Sequence, residues 1–167
     1  GAAFALNSFS SLVPVQTSSQ IQTSESADVT STSSSQETNI EEGYSGQLIA
    51  GSTTPYVRYN EADFEKARSE GKAVYLYFYA TWCPICAAER PNIFAAFNEL
   101  ELSDAVGFEA HWNDGQNNEA DNNLAREYGV GSQHTPIFID KNGNVIEKTL
   151  VPLSKDDIKS KLTAAQA

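Results

Sequence analysis

Only two cysteines occur in the 167 residues, and they stand as Cys-x-x-Cys in Trp82-Cys83-Pro84-Ile85-Cys86. Just upstream, Ala73-Val74-Tyr75-Leu76-Tyr77-Phe78-Tyr79-Ala80 is rich in the aromatic and branched types that favour strands. Just downstream, Ala87-Ala88-Glu89-Arg90 opens a helical pattern. The pair is therefore expected where a strand ends and a helix begins. The first turn of a helix carries unsatisfied N–H groups and the positive end of its dipole, and both favour a thiolate over a thiol. A free cysteine, with a pKa of about 8.5, is only slightly ionised at neutral pH, so such a site raises its nucleophilicity. Cys83, at the mouth of the helix, is the expected nucleophile, and Cys86, one turn in, the resolving thiol.

Two other uses of the pair compete. A structural disulfide closing so short a ring would constrain the unfolded chain by only about 2 kcal/mol, against about 4.7 kcal/mol for a loop of about a hundred residues. Half of a zinc site would need His111 and His134, the only imidazoles, and no second Cys-x-x-Cys or His-x-x-x-His accompanies them. Redox chemistry suits the spacing and context better than either.

Composition divides the chain. Of the first 40 residues 16 are Ser or Thr, and no Lys or Arg occurs before Arg58. Such a segment has little apolar surface to offset the entropy of ordering. Residues 1–42 are read as a disordered, flexible Ser/Thr-rich tether, 43–54 as a lead-in, and 55–167 as the folded domain. The chain contains no methionine, and Ala2-Ala3-Phe4-Ala5-Leu6 is read as the stub of a removed signal peptide or membrane anchor. A tether behind such a stub implies an extracytoplasmic domain, membrane-tethered in the full-length protein. A cytoplasmic protein with a disordered tail is the competing reading. The net charge of −11 disfavours phosphate backbones and hence nucleic-acid partners.

Periodicity and punctuation give the element order. Asn60 caps a helix to about Ser69, with Gly71 as its stop. A strand at 73–80 precedes the Cys-bearing helix, which runs to about Leu100 and should be kinked by Pro91. A strand at 106–112, a polar loop at 113–117 and a helix to Tyr128 follow. Strands 136–140 and 145–150 form a hairpin around Asn142-Gly143, and Ser154 with Asp157 opens a last helix to about Ala165. The order α-β-α-β-α-β-β-α describes an α/β domain with parallel strands joined by crossover helices and ending in an antiparallel hairpin.

Four features together resemble the thioredoxin fold over roughly residues 56–165: Trp82-Cys83-x-x-Cys86, Pro91 eight residues after the first cysteine, Thr135-Pro136 before a strand, and the Lys141-Asn142-Gly143 hairpin. The resemblance implies a central mixed β-sheet flanked by helices. It also implies a cis-proline at Pro136, preceded by Thr135, that packs against the disulfide and shapes the groove where a substrate backbone docks. An ordinary trans proline opening an edge strand is the alternative. The longer run Trp82-Cys83-x-x-Cys86-x-x-Glu89-x-Pro91 resembles the membrane-tethered reductases of bacterial cell envelopes. Residues 64–72 also resemble the small domains of transmembrane electron-transfer systems.

Two departures from the family pattern matter. Cytoplasmic thioredoxins carry an aspartate six residues before the first cysteine, where this chain has Tyr77. Glu89, three residues after Cys86 on the same helical face, is the candidate to relay the Cys86 proton instead, with a solvated helix glutamate as the alternative. Pro84-Ile85 brings no imidazole or cation to the Cys83 thiolate, which points to a reducing or intermediate potential. Trp82, Pro84, Ile85, Thr135 and Pro136 are the candidate substrate-binding residues, with Tyr79 either beside Trp82 on an apolar surface or in the core. His134 is read as exposed and passive, with a place near the disulfide as the alternative. The oxygen-rich stretch Asn113–Asp121 does not fit a calcium loop, because Gly115 directly follows Asp114. No metal is expected, and no cofactor beyond the Cys83–Cys86 disulfide, since no Gly-x-Gly-x-x-Gly follows a strand.

The sequence thus predicts a monomeric thiol–disulfide oxidoreductase, a reductase of protein disulfides served by a protein electron donor or acceptor. A disulfide-forming oxidase or isomerase, and a partner-binding module with an idle disulfide, remain open as alternatives.

Overall fold

The computed structural model describes residues 43–167, so the expected tether at 1–42 lies outside the described residues. Six strands and four helices follow in order: β1 (Leu48–Ala50), β2 (Tyr56–Arg58), α1 (Glu61–Ser69), β3 (Ala73–Tyr79), α2 (Pro84–Glu99), β4 (Ala105–His111), α3 (Glu119–Glu127), β5 (Thr135–Ile139), β6 (Val145–Lys148) and α4 (Lys155–Ala165). They form one mixed sheet in the order β1-β2-β4-β3-β5-β6. Strands β2, β4 and β3 run parallel, while β1, β5 and β6 are antiparallel to their neighbours.

The sequence reading lacked the first two strands. Each is only three residues long, and Gly51-Ser52-Thr53-Thr54-Pro55 between them reads as a loop. Their place comes from tertiary contacts: Tyr56 and Val57 are fully buried, and the Tyr56 ring stacks on Phe97 with centroids 4.8 Å apart. The lead-in is thus partly sheet. The second hairpin strand ends at Lys148, two residues short of expectation, leaving Leu150 and Val151 outside the ladder and exposed.

Every residue of β3 is buried, which explains its unbroken apolar run. Its side chains alternate between two cores. Tyr75, Tyr77 and Tyr79 join Ile93, Ala96 and Phe97 of α2 and Ile158 and Leu162 of α4. Val74, Leu76 and Phe78 join Phe64 and Ala67 of α1 and Leu124 and Ala125 of α3. Helices therefore cover both faces of the sheet. Phenol rings concentrate on the α2 side, and their hydroxyls set the polar chemistry near the cysteines.

Local signals position the helices. Asn60 caps α1 by accepting the Asp63 N–H, Asn118 and Asp121 form a reciprocal capping box on α3, and Ser154 and Asp157 form another on α4. Helix α2 starts with Pro84 in its first turn, where a missing N–H costs nothing, and continues through Pro91 to Glu99.

Candidate active site

Strand β3 delivers the chain to Ala80, and Cys83 then takes an extended conformation (φ −86°, ψ 112°) as the N-cap of α2. Its Sγ accepts the Cys86 N–H at 3.1 Å, so the sulfur does what a capping oxygen usually does. Cys83 and Cys86 are joined as a disulfide with their Cα atoms 5.3 Å apart. No acidic residue lies in the first turn of α2 to offset the positive helix end. Cys83 is 3% and Cys86 1% exposed, while Trp82 and Ile85 beside them are more than half exposed. The disulfide thus sits flush in the surface, rimmed by apolar side chains.

Helix periodicity carries Cys83, Cys86 and Glu89 down one buried face, and the fate of Glu89 departs from the solvated alternative. It is 3% exposed. Its Oε1 accepts the Leu153 N–H at 2.7 Å, and its Oε2 accepts the Tyr77 hydroxyl at 2.9 Å and lies 2.8 Å from His134 Nδ1. The Tyr77 hydroxyl is itself 3.2 Å from Nδ1. Burial pushes the Tyr77 phenol up and the Glu89 charge adds to it, so Tyr77 remains a donor.

His134 is correspondingly buried, at 5% exposure, against the reading of an exposed histidine. Its backbone lies in the left-handed region (φ 62°), and its N–H bonds the Phe78 carbonyl at 2.7 Å, which turns the ring inward just before β5. Histidine is among the residue types that take a positive φ more often than most, but Gly131-Ser132-Gln133-His134 holds other turn formers and does not single out His134 as the residue that does so. Tyr77 likewise stood out only as the missing aspartate. Register makes the meeting: Tyr77 pairs with Pro136 across the sheet, which brings the turn before β5 beside it.

A second trio lies under Trp82. Asp114 accepts His111 Nδ1 at 2.7 Å and the Thr81 N–H at 3.0 Å, and the Tyr79 hydroxyl is 3.2 Å from His111 Nε2. Burial raises the Asp114 carboxyl, but these hydrogen bonds and that of the Gln116 N–H outweigh it and hold the carboxyl below the usual range. The Trp82 indole donates to the Asn113 carbonyl at 3.1 Å. Loop 113–117 therefore clasps the Trp82 side of the rim. Tyr79 is interior, with its ring against Arg90 and His111, which settles it as core. Both histidines face carboxylates, His111 at Asp114 and His134 at Glu89.

Thr135 and Pro136 are buried at the start of β5, and the Thr135 hydroxyl donates to the Ser132 carbonyl at 2.8 Å. A groove of about 320 Å³ is lined by Pro84, Ile85, Ala88, Glu89, Pro152 and Leu153, among others. Leu150 and Val151, just before Pro152 in the chain, are exposed apolar residues. A buried dithiol/disulfide with a carboxylate one turn below it and apolar surface around it can exchange electrons and protons with another disulfide.

A family model described as a thioredoxin-like domain matches residues 60–166. The chain is 33% identical over 98 residues to thioredoxin H4 of Arabidopsis thaliana, covering 59% of this chain and 75% of that protein. It is 31% identical over 102 residues to the chloroplastic thioredoxin-like protein HCF164 of Oryza sativa subsp. japonica, covering 61% of this chain but 34% of that protein. Among solved structures, the fold is similar to Trxlp from Edwardsiella tarda, with a TM-score of 0.53 and 22% identity over 63% of this chain and 95% of that one.

Proposed function

Because this chain belongs to the thioredoxin-like domain family, whose members exchange thiols and disulfides through a redox-active cysteine pair, we propose that it works as a reductase of protein disulfides outside the cytoplasm. In this reading the Cys83 thiolate attacks one sulfur of a substrate disulfide. The substrate S–S bond breaks, its first sulfur leaves as a thiolate, and a mixed disulfide forms on Cys83. Cys86 gives its proton to Glu89 and attacks Cys83 Sγ, which expels the second substrate thiolate and closes the Cys83–Cys86 disulfide. Two electrons pass to the substrate, and a partner protein restores the dithiol.

The observation that carries the reducing direction is the bonding of Cys83 Sγ. Its hydrogen bond comes from the Cys86 N–H, while both imidazoles are turned to carboxylates. A thiolate held by the helix terminus alone, without a cationic partner, is less favoured than one held by both. The dithiol is then the better electron donor. The extracytoplasmic assignment rests on the signature through Glu89 and Pro91 and on the Ser/Thr-rich leading segment. Among the described residues no helix is long and apolar enough to cross a membrane. Trp82, Pro84 and Ile85 offer the apolar rim, and Thr135-Pro136 the backbone-docking turn, for an extended substrate.

Trapping tests the assignment. Cys86→Ser should accumulate a covalent adduct with a disulfide substrate such as insulin, visible by non-reducing electrophoresis and mass spectrometry, and Cys83→Ser should form none. Equal trapping by both variants would reverse the roles of the two cysteines, and absence of adducts from either would remove the oxidoreductase reading.

A further inference from the structure

One helical turn below Cys86, three polar atoms from three elements form a triangle: Glu89 Oε2 of α2, the Tyr77 hydroxyl of β3 and His134 Nδ1 of the turn before β5. Their separations are 2.9 Å (hydroxyl to Oε2), 2.8 Å (Oε2 to Nδ1) and 3.2 Å (hydroxyl to Nδ1). Side-chain exposure is 2% for Glu89 and 7% for His134. An ionised carboxylate only accepts, so at 2.8 Å the ring nitrogen facing it is the protonated one. The other ring nitrogen, Nε2, is then a bare lone pair, and it is buried without a hydrogen-bond partner. A buried polar atom left unpaired is uncommon and calls for a role.

The triangle has room for one more proton. When a proton is bound at Nε2, the Nδ1 proton can cross to Oε2, and the acid O–H then donates back to Nδ1. The Tyr77 bond to Oε2 and the Leu153 bond to Oε1 are kept. The pair passes from one buried negative charge to none, which a low-dielectric site favours. Other ionisable groups stand close by but do not bond to the pair: Tyr75 on β3, and Glu109 on β4, which is held by Arg90 of α2.

We infer that Glu89 and His134 act as one proton store for the resolving step, with His134 the positioning residue that fixes Glu89 Oε2 through Nδ1 and then shares the proton that Cys86 delivers. The inference rests on Cys86 being the resolving thiol. The Cys86 S–H bond breaks and an O–H or N–H bond forms in the pair. The Cys86–Cys83 bond forms as the Cys83–substrate S–S bond breaks, and the electron pair leaves on the substrate thiolate. The stored proton returns to solvent before the next cycle.

His134→Asn separates positioning from proton storage. Asparagine tolerates the left-handed backbone and its amide can donate to Oε2, but it cannot take up a proton. The reduced protein is mixed with 5,5′-dithiobis(2-nitrobenzoate) in stopped flow, where the first chromophore release reports attack by Cys83 and the second reports resolution by Cys86. The ratio of second to first rate should fall about tenfold in the variant at neutral pH, less than the roughly 10²–10⁴-fold typical of losing the acid–base group itself, because Glu89 remains. An unchanged ratio would overturn the inference while leaving the reductase reading intact. Absence of the first release from the wild-type protein would instead overturn that reading. Nitrogen NMR of the wild-type disulfide form supplies a check that needs no variant: His134 should be protonated at Nδ1 and bare at Nε2, and the opposite tautomer would overturn the proton store.

Discussion

Glu89 is held by three groups from different parts of the chain, the Tyr77 hydroxyl, the Leu153 N–H and His134 Nδ1, and losing any one should be felt. Tyr77→Phe removes a buried hydroxyl bonded to a charged oxygen. Such bonds contribute about 1.5–3 kcal/mol, so thermal unfolding should show a lowered Tm, with slower resolution by Cys86 in the same variant. Glu89→Gln should alter the pH–rate profile of disulfide reduction; an unchanged profile would exclude the relay. Residue by residue, the site was unevenly legible. Cys83, Cys86 and Glu89 could be placed together because they recur every three residues along one helix. His134 and Tyr77 could not, because their meeting depends on strand register and on a positive φ at His134 that the residue type permits but does not announce. The same holds for the Asp114–His111–Tyr79 trio, read from sequence as a polar loop, a histidine weighed for a zinc site and a tyrosine either on an apolar surface or in the core.

Elements were legible in proportion to their length. The four helices carry caps that can be read locally, and β3 and β4 are seven residues long and buried throughout. Strands β1 and β2 exist because of what they cover. Tyr56 lies across Phe97, and Gly107 of β4 makes room for both: a Cβ there would fall 2.5 Å from Tyr56 Cδ2 and closer still to the Phe97 ring. Gly107→Ala should therefore destabilise the domain by about 1–3 kcal/mol through overpacking, measurable by denaturant titration. A similar tie holds α3 to the sheet. Asp121 accepts two bonds from Arg58 of β2, at 2.7 and 3.0 Å, and the Asn118 N–H of its own cap. Asp121→Ala would strand the guanidinium and uncap the helix, and a loss of about 3 kcal/mol or more is expected.

At the scale of the whole molecule, the lead-in is fastened to α1 by one carboxylate. Asp63 accepts the Ser45 and Gly46 N–H groups at 3.0 and 2.7 Å, together with the Asn60 side chain. Burial raises its carboxyl, but these bonds outweigh burial and hold it below the ordinary value. A group whose folded pKa is depressed stabilises the fold above its unfolded value, about 3.9, and that contribution is lost as pH falls through the folded value. Asp63→Asn should accordingly flatten the loss of stability below about pH 4 in acid titrations followed by circular dichroism. A chain starting at Asn60 would lack β1 and β2, uncover the edge of β4 and lose the Asp63 contacts, so it should melt well below one starting at Gly43. All these ties hold the sheet whose central strand ends at the disulfide. If this pair donates electrons, as proposed, its equilibrium potential against thiol–disulfide buffers must lie at the reducing end. A value near −270 mV or below, as in thioredoxin, is predicted, and one near about −120 mV, typical of a strong disulfide donor, would contradict the account.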